Sequence, residues 1–272
     1  MSFNTILTAE TNGIITAYCE AGVGEPLLML NGGAAERCEY RRFVPYIADG
    51  IRIISYDQRD FGDTVSGSEP YTLKTLADDA IGLMDALGLA RAHLIGFSYG
   101  GVVALQAAIH HPERVHSLIV GTAPYRYGDM IAAAETLTGL SPSDLRRRTL
   151  ELCLSPKGQA DARLVAELTE GDSARKRTPD TNSGVRRTGA AAGYDMAGLG
   201  RKISAPTLLI YGRGDPKTPP EIGQRLKQEI PNSHLAMIEG GRHSFFREFP
   251  VEVAKLTSDW VLSHPIGNDV HP

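Results

Sequence analysis

Apolar runs of strand length alternate with amphipathic stretches of helical period along most of this chain, and that alternation constrains the fold more than any other feature. Strands joined through helices pair in parallel and lie buried between helical layers, so the pattern calls for an α/β fold with a mostly parallel sheet. The rhythm runs from about residue 25 to residue 122 and resumes at about 205. Leu27 to Leu30, Ile51 to Tyr56, Ala92 to Ile95 and Val115 to Gly121 read as its first strands. Leu73, Leu76, Ala77, Ala80, Ile81, Met84 and Leu87 share one face of a helix that Thr72 caps and Gly88 stops. Val102 to His110 reads as a second helix. After the break come a strand from Pro206 to Tyr211, a helix entered through Pro219-Pro220, a strand from His234 to Ile238, and a last helix from Pro250. Upstream, Phe3 to Thr8 and Ile14 to Cys19 form an opening hairpin through Asn12-Gly13, a pair that tolerates positive φ.

The stretch 122–203 breaks the rhythm. It is helical at first, then rich in Gly, Ser, Thr, Arg and Lys from Gly171 to Gly193, and carries 13 basic and 10 acidic residues. It reads as a cap inserted over one end of the sheet, with 1–121 and 204–272 forming the core domain.

Composition narrows the function. A chain of 272 residues can bury roughly 75% of its unfolded surface and needs neither metal nor disulfide to hold a core. A net charge of −4 argues against a nucleic-acid partner, and no apolar run approaches membrane-spanning length. Cys19, Cys38 and Cys153 are odd in number and lie far apart in the sequence, without metal-site spacing. Met1-Ser2-Phe3-Asn4 lacks a signal-peptide pattern. The expectation is a cytoplasmic protein acting on a small molecule.

Gly96-Phe97-Ser98-Tyr99-Gly100 lies between a strand and a helix. In that setting Gly-x-Ser-x-Gly is a nucleophile elbow: a tight turn lifts the serine above the sheet at a helix N-terminus, and the glycines avoid collisions. A serine hydroxyl needs a base, and the base an orienting acid. Asp215 follows a strongly apolar strand and His243 lies in the loop before the last helix. Ser, Asp, His is the chain order that an elbow on such a sheet uses.

These residues mark a resemblance to the α/β-hydrolase superfamily over nearly the whole chain. Asp57-Gln58-Arg59-Asp60-Phe61-Gly62-Asp63-Thr64 resembles the family's Asp-Gln-Arg-Gly-x-Gly-x-Ser segment, Pro206 to Gly212 its strand before the acid, and Gly241-Arg242-His243 its Gly-x-His. The resemblance implies an eight-stranded sheet with helices on both faces, a helical cap, a Ser98–His243–Asp215 triad, an oxyanion hole from the backbone N–H groups of Gly33 and Tyr99, and no metal or other cofactor. Asn31-Gly32-Gly33-Ala34 stands where many relatives have His-Gly, leaving two roles open for Asn31, bracing the loop or facing substrate. Asp60 and Thr64 replace the usual Gly and Ser.

Phe97, Tyr99, Tyr125, Tyr127, Phe245 and Phe246 flank the site in sequence, and Asn31, Phe97, Tyr125 and Phe245 are the candidate substrate-binding residues. The runs Arg146-Arg147-Arg148, Arg175-Lys176-Arg177 and Arg186-Arg187 read as a solvated face, with attraction of an acidic substrate as the alternative. The expected function is hydrolysis of a carboxylic ester through an acyl-enzyme on Ser98. Enol-lactone or carbon-carbon hydrolysis on the same triad, and a receptor-like protein with little turnover, are the alternatives. Dehalogenase and epoxide hydrolase chemistry would need Asp where Ser98 stands.

Overall fold

The computed structural model describes residues 5–33, 35–169 and 182–267. Eight strands, β1 (Leu7–Thr11), β2 (Ile14–Ala21), β3 (Glu25–Leu30), β4 (Ile51–Tyr56), β5 (Ala92–Phe97), β6 (Val115–Gly121), β7 (Thr207–Gly212) and β8 (Ser233–Ile238), form one sheet in the order β1-β2-β4-β3-β5-β6-β7-β8. β2 runs antiparallel to β1 and β4, and the pairings from β4 to β8 are parallel.

Strand alternation divides the core. Leu28 and Leu30 face one side, where α1 (Leu73–Ala86) and α2 (Tyr99–His110) pack; Leu27 and Met29 face the other, with Phe43, Ile95 and Phe97. The last four side chains of β3, Leu27 to Leu30, are fully buried, each contributing about 1.5–3 kcal/mol relative to exposure. Thr72 caps α1 by accepting the Thr75 N–H at 3.1 Å.

Between β6 and β7 the described residues form five α-helices: α3 (Tyr127–Glu135), α4 (Pro142–Cys153), α5 (Pro156–Gln159), α6 (Ala162–Thr169) and α7 (Ser183–Ala190). Leu152, Cys153, Leu154 and Leu164 build a small core among them. After β7 follow α8 (Pro220–Glu229), α9 (Phe245–Glu248) and α10 (Pro250–Ser263), whose Val253, Ala254 and Val261 close the second core face.

Several expected boundaries move. The hairpin's first strand is Leu7–Thr11 rather than Phe3 to Thr8, because Asn12 (φ 40°) and Gly13 (φ 75°) make a two-residue turn that pairs Thr11 directly with Ile14. Phe3 itself lies outside the described residues. β5 runs on to Phe97 and α2 starts at Tyr99 instead of Val102, so a single residue, Ser98, joins strand to helix. The Gly-rich stretch contains a helix after all, α7, while 171–181 lie outside the described residues.

That one-residue join dictates two glycines. A Cβ on Gly96 would lie 2.3 Å from the Gly100 carbonyl oxygen, and one on Gly100 would lie 2.0 Å from that of Leu30. Since both obstacles are backbone, Gly100→Ala is expected to cost about 3 kcal/mol or more in chemical denaturation. Gly189→Ala is the contrast: within α7 and open around its Cα, it is expected to stabilise by about 0.5–1 kcal/mol.

Candidate active site

Ser98 sits at φ 55°, ψ −122°, a left-handed conformation that a non-glycine residue holds only under constraint. Its N–H donates to the Gly121 carbonyl of β6 at 2.8 Å, and its own carbonyl accepts the Val102 N–H in the first turn of α2 at 3.1 Å. Asp215 lies in the loop after β7, and His243 in the loop between β8 and α9. The three converge, with His243 Nε2 3.0 Å from Ser98 Oγ and His243 Nδ1 2.9 Å from Asp215 Oδ2. With the Nδ1 proton against the carboxylate, Nε2 is left to accept from the serine hydroxyl.

The rest of the Asp215 carboxylate is also occupied. Oδ1 accepts the N–H groups of Lys217 (2.8 Å) and Thr218 (3.1 Å), and Oδ2 accepts the Thr218 hydroxyl. Burial opposes ionisation of Asp215, but His243 and the Thr218 donors outweigh it and hold the carboxyl below its usual value. His243 shifts down as well, first through burial and then through the nearby Lys217 ammonium, with Asp215 acting against both. At neutral pH the pair is therefore a neutral imidazole on an ionised carboxylate.

The loop after β3 is held group by group. The Leu30 carbonyl accepts the Tyr40 hydroxyl (2.6 Å), the Asn31 carbonyl accepts Gln58 Nε2 (2.6 Å), the Gly32 N–H donates to Glu39 Oε2 (2.6 Å), and the Gly32 carbonyl accepts Arg187 Nη2 (3.3 Å). Gly33 borders the cavity, and a Cβ placed on it would lie 3.6 Å from that of Tyr99. The backbone N–H of Tyr99 belongs to the first turn of α2, which has no partner within the helix.

A cavity of about 420 Å³ opens over Ser98 and His243, bordered by Gly33, Phe97 and Phe246 from the core and by Thr149, Cys153 and Leu168 from α4 and α6. Of the candidate substrate-binding residues only Phe97 lines it. Asn31 is fully buried, and its amide donates to the Tyr56 carbonyl at 2.6 Å, so it braces the loop instead of facing the cavity. Tyr125 is turned away, its hydroxyl on Glu229 and its ring under the Arg225 guanidinium. Phe245 packs edge-on behind Phe97, and its neighbour Phe246, stacked on Phe97 at 5.0 Å, borders the cavity in its place. Lys217, Glu39 and Arg247 also line it, and no sequence motif singles them out.

The basic runs part ways. On α4, Arg147 is exposed and pairs with Asp144 and Glu151, and the half-buried Arg148 pairs with Glu151, which is the solvated face expected. The run Arg175-Lys176-Arg177 lies outside the described residues. Arg186 and Arg187 contradict the expectation. Arg186 is 9% exposed and forks onto Asp60, which stands at φ 72°, the conformation that suits the glycine of the resembling segment. Arg187 is 4% exposed and lies over the faces of Phe61 (4.4 Å) and Tyr99 (4.1 Å), with Nη2 also on Gln58 Oε1 at 3.2 Å. Its Nε and Nη1 are buried without a hydrogen-bond partner among the described residues. No group of three or more His, Cys, Asp or Glu that could hold a metal ion occurs among the described residues, nor any helix long and apolar enough to cross a membrane.

A sequence profile for the alpha/beta hydrolase fold matches residues 25–250. The chain is 29% identical to a 2-hydroxy-6-oxo-6-phenylhexa-2,4-dienoate hydrolase of Comamonas testosteroni over 95% of each protein. It is 27% identical to a pimeloyl acyl-carrier-protein methyl ester esterase of Aeromonas hydrophila over 88% of this chain and 96% of the relative. A thermophilic esterase from Thermogutta terrifontis superposes with a TM-score of 0.81 over 96% of this chain and 100% of its own, at 24% identity, a likeness of fold.

The electrostatics carry a direct test. An NMR titration should find the His243 midpoint below the ordinary imidazole value of about 6.5. Lys217→Met should move it upward, since removing a neighbouring positive charge eases protonation.

Proposed function

Because the chain belongs to the alpha/beta hydrolase fold family, we propose that it is a serine hydrolase that cleaves a small carboxylic ester through an acyl-enzyme on Ser98, with His243 as base and Asp215 as orienting acid. The observation that carries this reading is the hydrogen-bonded chain Ser98–His243–Asp215, at 3.0 and 2.9 Å, opening on the cavity. As Ser98 Oγ attacks the ester carbonyl carbon, His243 Nε2 takes its proton and the carbonyl oxygen becomes the oxyanion, received by the N–H groups of Gly33 and Tyr99. Collapse of the tetrahedral intermediate expels the alcohol, which takes the proton back from His243. Water then enters by the same base and frees the acid. Each oxyanion donor is worth about 3–4 kcal/mol in comparable enzymes. These steps call for no cofactor. The inserted helices act as the cap: the Ser244 N–H donates to the Cys153 carbonyl at 2.9 Å, tying the end of α4 to the histidine loop.

A second reading is enol-lactone or carbon-carbon hydrolysis on the same triad. The Comamonas relative, by name a hydrolase of a dienoate, supports this direction.

Hydrolysis of p-nitrophenyl butyrate and of mono-p-nitrophenyl glutarate tests the ester reading. Ser98→Ala should lower kcat on either ester by at least about 10³-fold. Arg187→Gln, which removes the Nη2 anchor of the Gly32 carbonyl, should lower kcat about 10-fold on both esters alike. One stoichiometric burst with no turnover after it would favour a receptor-like protein instead.

A further inference from the structure

The Glu39 carboxylate is spent on backbone. Its side chain is 10% exposed; Oε2 accepts the Gly32 N–H at 2.6 Å, and Oε1 lies 3.8 Å from Nη2 of Arg247. The fit is close, since a Cβ on Gly32 would come within 3.1 Å of Oε1. The next residue, Tyr40, is fully buried, and its hydroxyl donates to the Leu30 carbonyl (2.6 Å) and accepts the Phe97 N–H (3.3 Å). Leu30 ends β3 just before the Gly32-Gly33 loop, and Phe97 ends β5 just before Ser98. Two consecutive side chains thus pin the two backbone segments that meet over the serine.

Glycine pairs are conformationally soft, so the direction of the Gly33 N–H has to be imposed from outside. In a trans peptide the C=O and N–H point in opposite directions. Anchoring the Gly32 carbonyl on Arg187 therefore aims the Gly33 N–H the other way, and anchoring the Gly32 N–H on Glu39 stops the preceding peptide from turning. The Asn31 amide nitrogen donates to the Tyr56 carbonyl, its oxygen takes no hydrogen bond among the described residues, and the Gly32 N–H goes to Glu39. Arg247 supplies the opposing charge from α9, the helix that begins two residues after His243.

We infer that Glu39 is a positioning residue, which holds the Gly32 peptide so that the Gly33 N–H meets the developing oxyanion. The inference rests on the serine-hydrolase reading. It predicts a loss felt in the transition state and not in substrate binding. A charge-assisted acceptor is roughly twice as strong as a neutral one, so glutamine at this position should rescue in part.

The test compares wild type, Glu39→Ala and Glu39→Gln on p-nitrophenyl butyrate and with an alkyl trifluoromethyl ketone. In the ketone adduct, Ser98 Oγ bonds to the carbonyl carbon, the hydroxyl proton passes to His243, and the ketone oxygen becomes the oxyanion. Glu39→Ala should lower kcat about 10- to 100-fold, somewhat less than outright loss of a donor. KM should stay within about threefold, and ketone affinity should fall by the same factor as kcat. Glu39→Gln should lose only about 3- to 10-fold in both. If Glu39→Ala does not fold, the glutamine variant must still show the matched loss. An unchanged kcat, or a loss confined to KM, overturns the inference alone. A wild type that neither turns over the ester nor binds the ketone overturns the serine-hydrolase reading and this inference with it.

Discussion

The left-handed backbone of Ser98 is the constraint on which the rest of the site depends. One residue joins β5 to α2, and it holds φ 55° because β6 takes its N–H and the first turn of α2 takes its carbonyl. That geometry puts the hydroxyl within reach of His243, places Tyr99 in the first turn of α2, and leaves no space for a Cβ at Gly96 or Gly100. A fully buried parallel sheet can impose such a turn, since β3, β5 and β6 are ordered on both faces by packed aliphatic side chains. The loops bearing Asp215 and His243 leave the carboxyl ends of β7 and β8, so the direction of the strands gathers all three side chains at one edge.

Around that edge polar groups are buried in quantity, and those of the triad and of the backbone after β3 are hydrogen-bonded. Asp215 is saturated by His243 and the Lys217–Thr218 turn, which keeps its charge while its surroundings are dry. The loop from Leu30 to Gly33 is clamped from four directions, by residues at 39–40, 58 and 187 and by the Asn31 amide. Other buried atoms have no hydrogen-bond partner among the described residues: Nε and Nη1 of Arg187, Oδ1 of Asn31, Oγ1 of Thr122 and Nε of Arg247. Arg186 seats α7 on Asp60 through a pair of which both members are almost wholly buried. α7 thus brings one arginine paired with Asp60 and one held between two aromatic rings with Nη2 on the Gly32 carbonyl.

What was legible in the sequence was local. Gly96 to Gly100, Asp215 after its strand and His243 in its loop each stand in a short, patterned segment, and the structure brings their side chains within hydrogen-bonding distance. The alternation of strand and helix likewise foretold the mostly parallel sheet, because burial on both faces leaves unbroken apolar runs, while its eight strands came from the family resemblance. Facing was not legible. Phe245 and Phe246 are indistinguishable in sequence, and only the short helix α9 decides which of them borders the cavity. Tyr125 follows a strand end, yet its hydroxyl goes to Glu229, more than a hundred residues downstream. Arg187 sits in a Gly-, Ser- and Thr-rich stretch whose composition suggests solvent, and it is buried because two aromatic rings from distant segments receive it. Glu39 carries no pattern at all, since its partner is a backbone N–H.

The central claim is that Ser98 is a nucleophile activated by His243. The most direct measurement is intact-mass and peptide-mapping spectrometry after exposure to an alkyl fluorophosphonate, with His243→Ala treated in parallel. The account predicts a single phosphonyl adduct on Ser98 that forms rapidly in the wild type and is all but lost in the His243 variant. Absence of an adduct, attachment at another residue, or equal labelling of both proteins would contradict it.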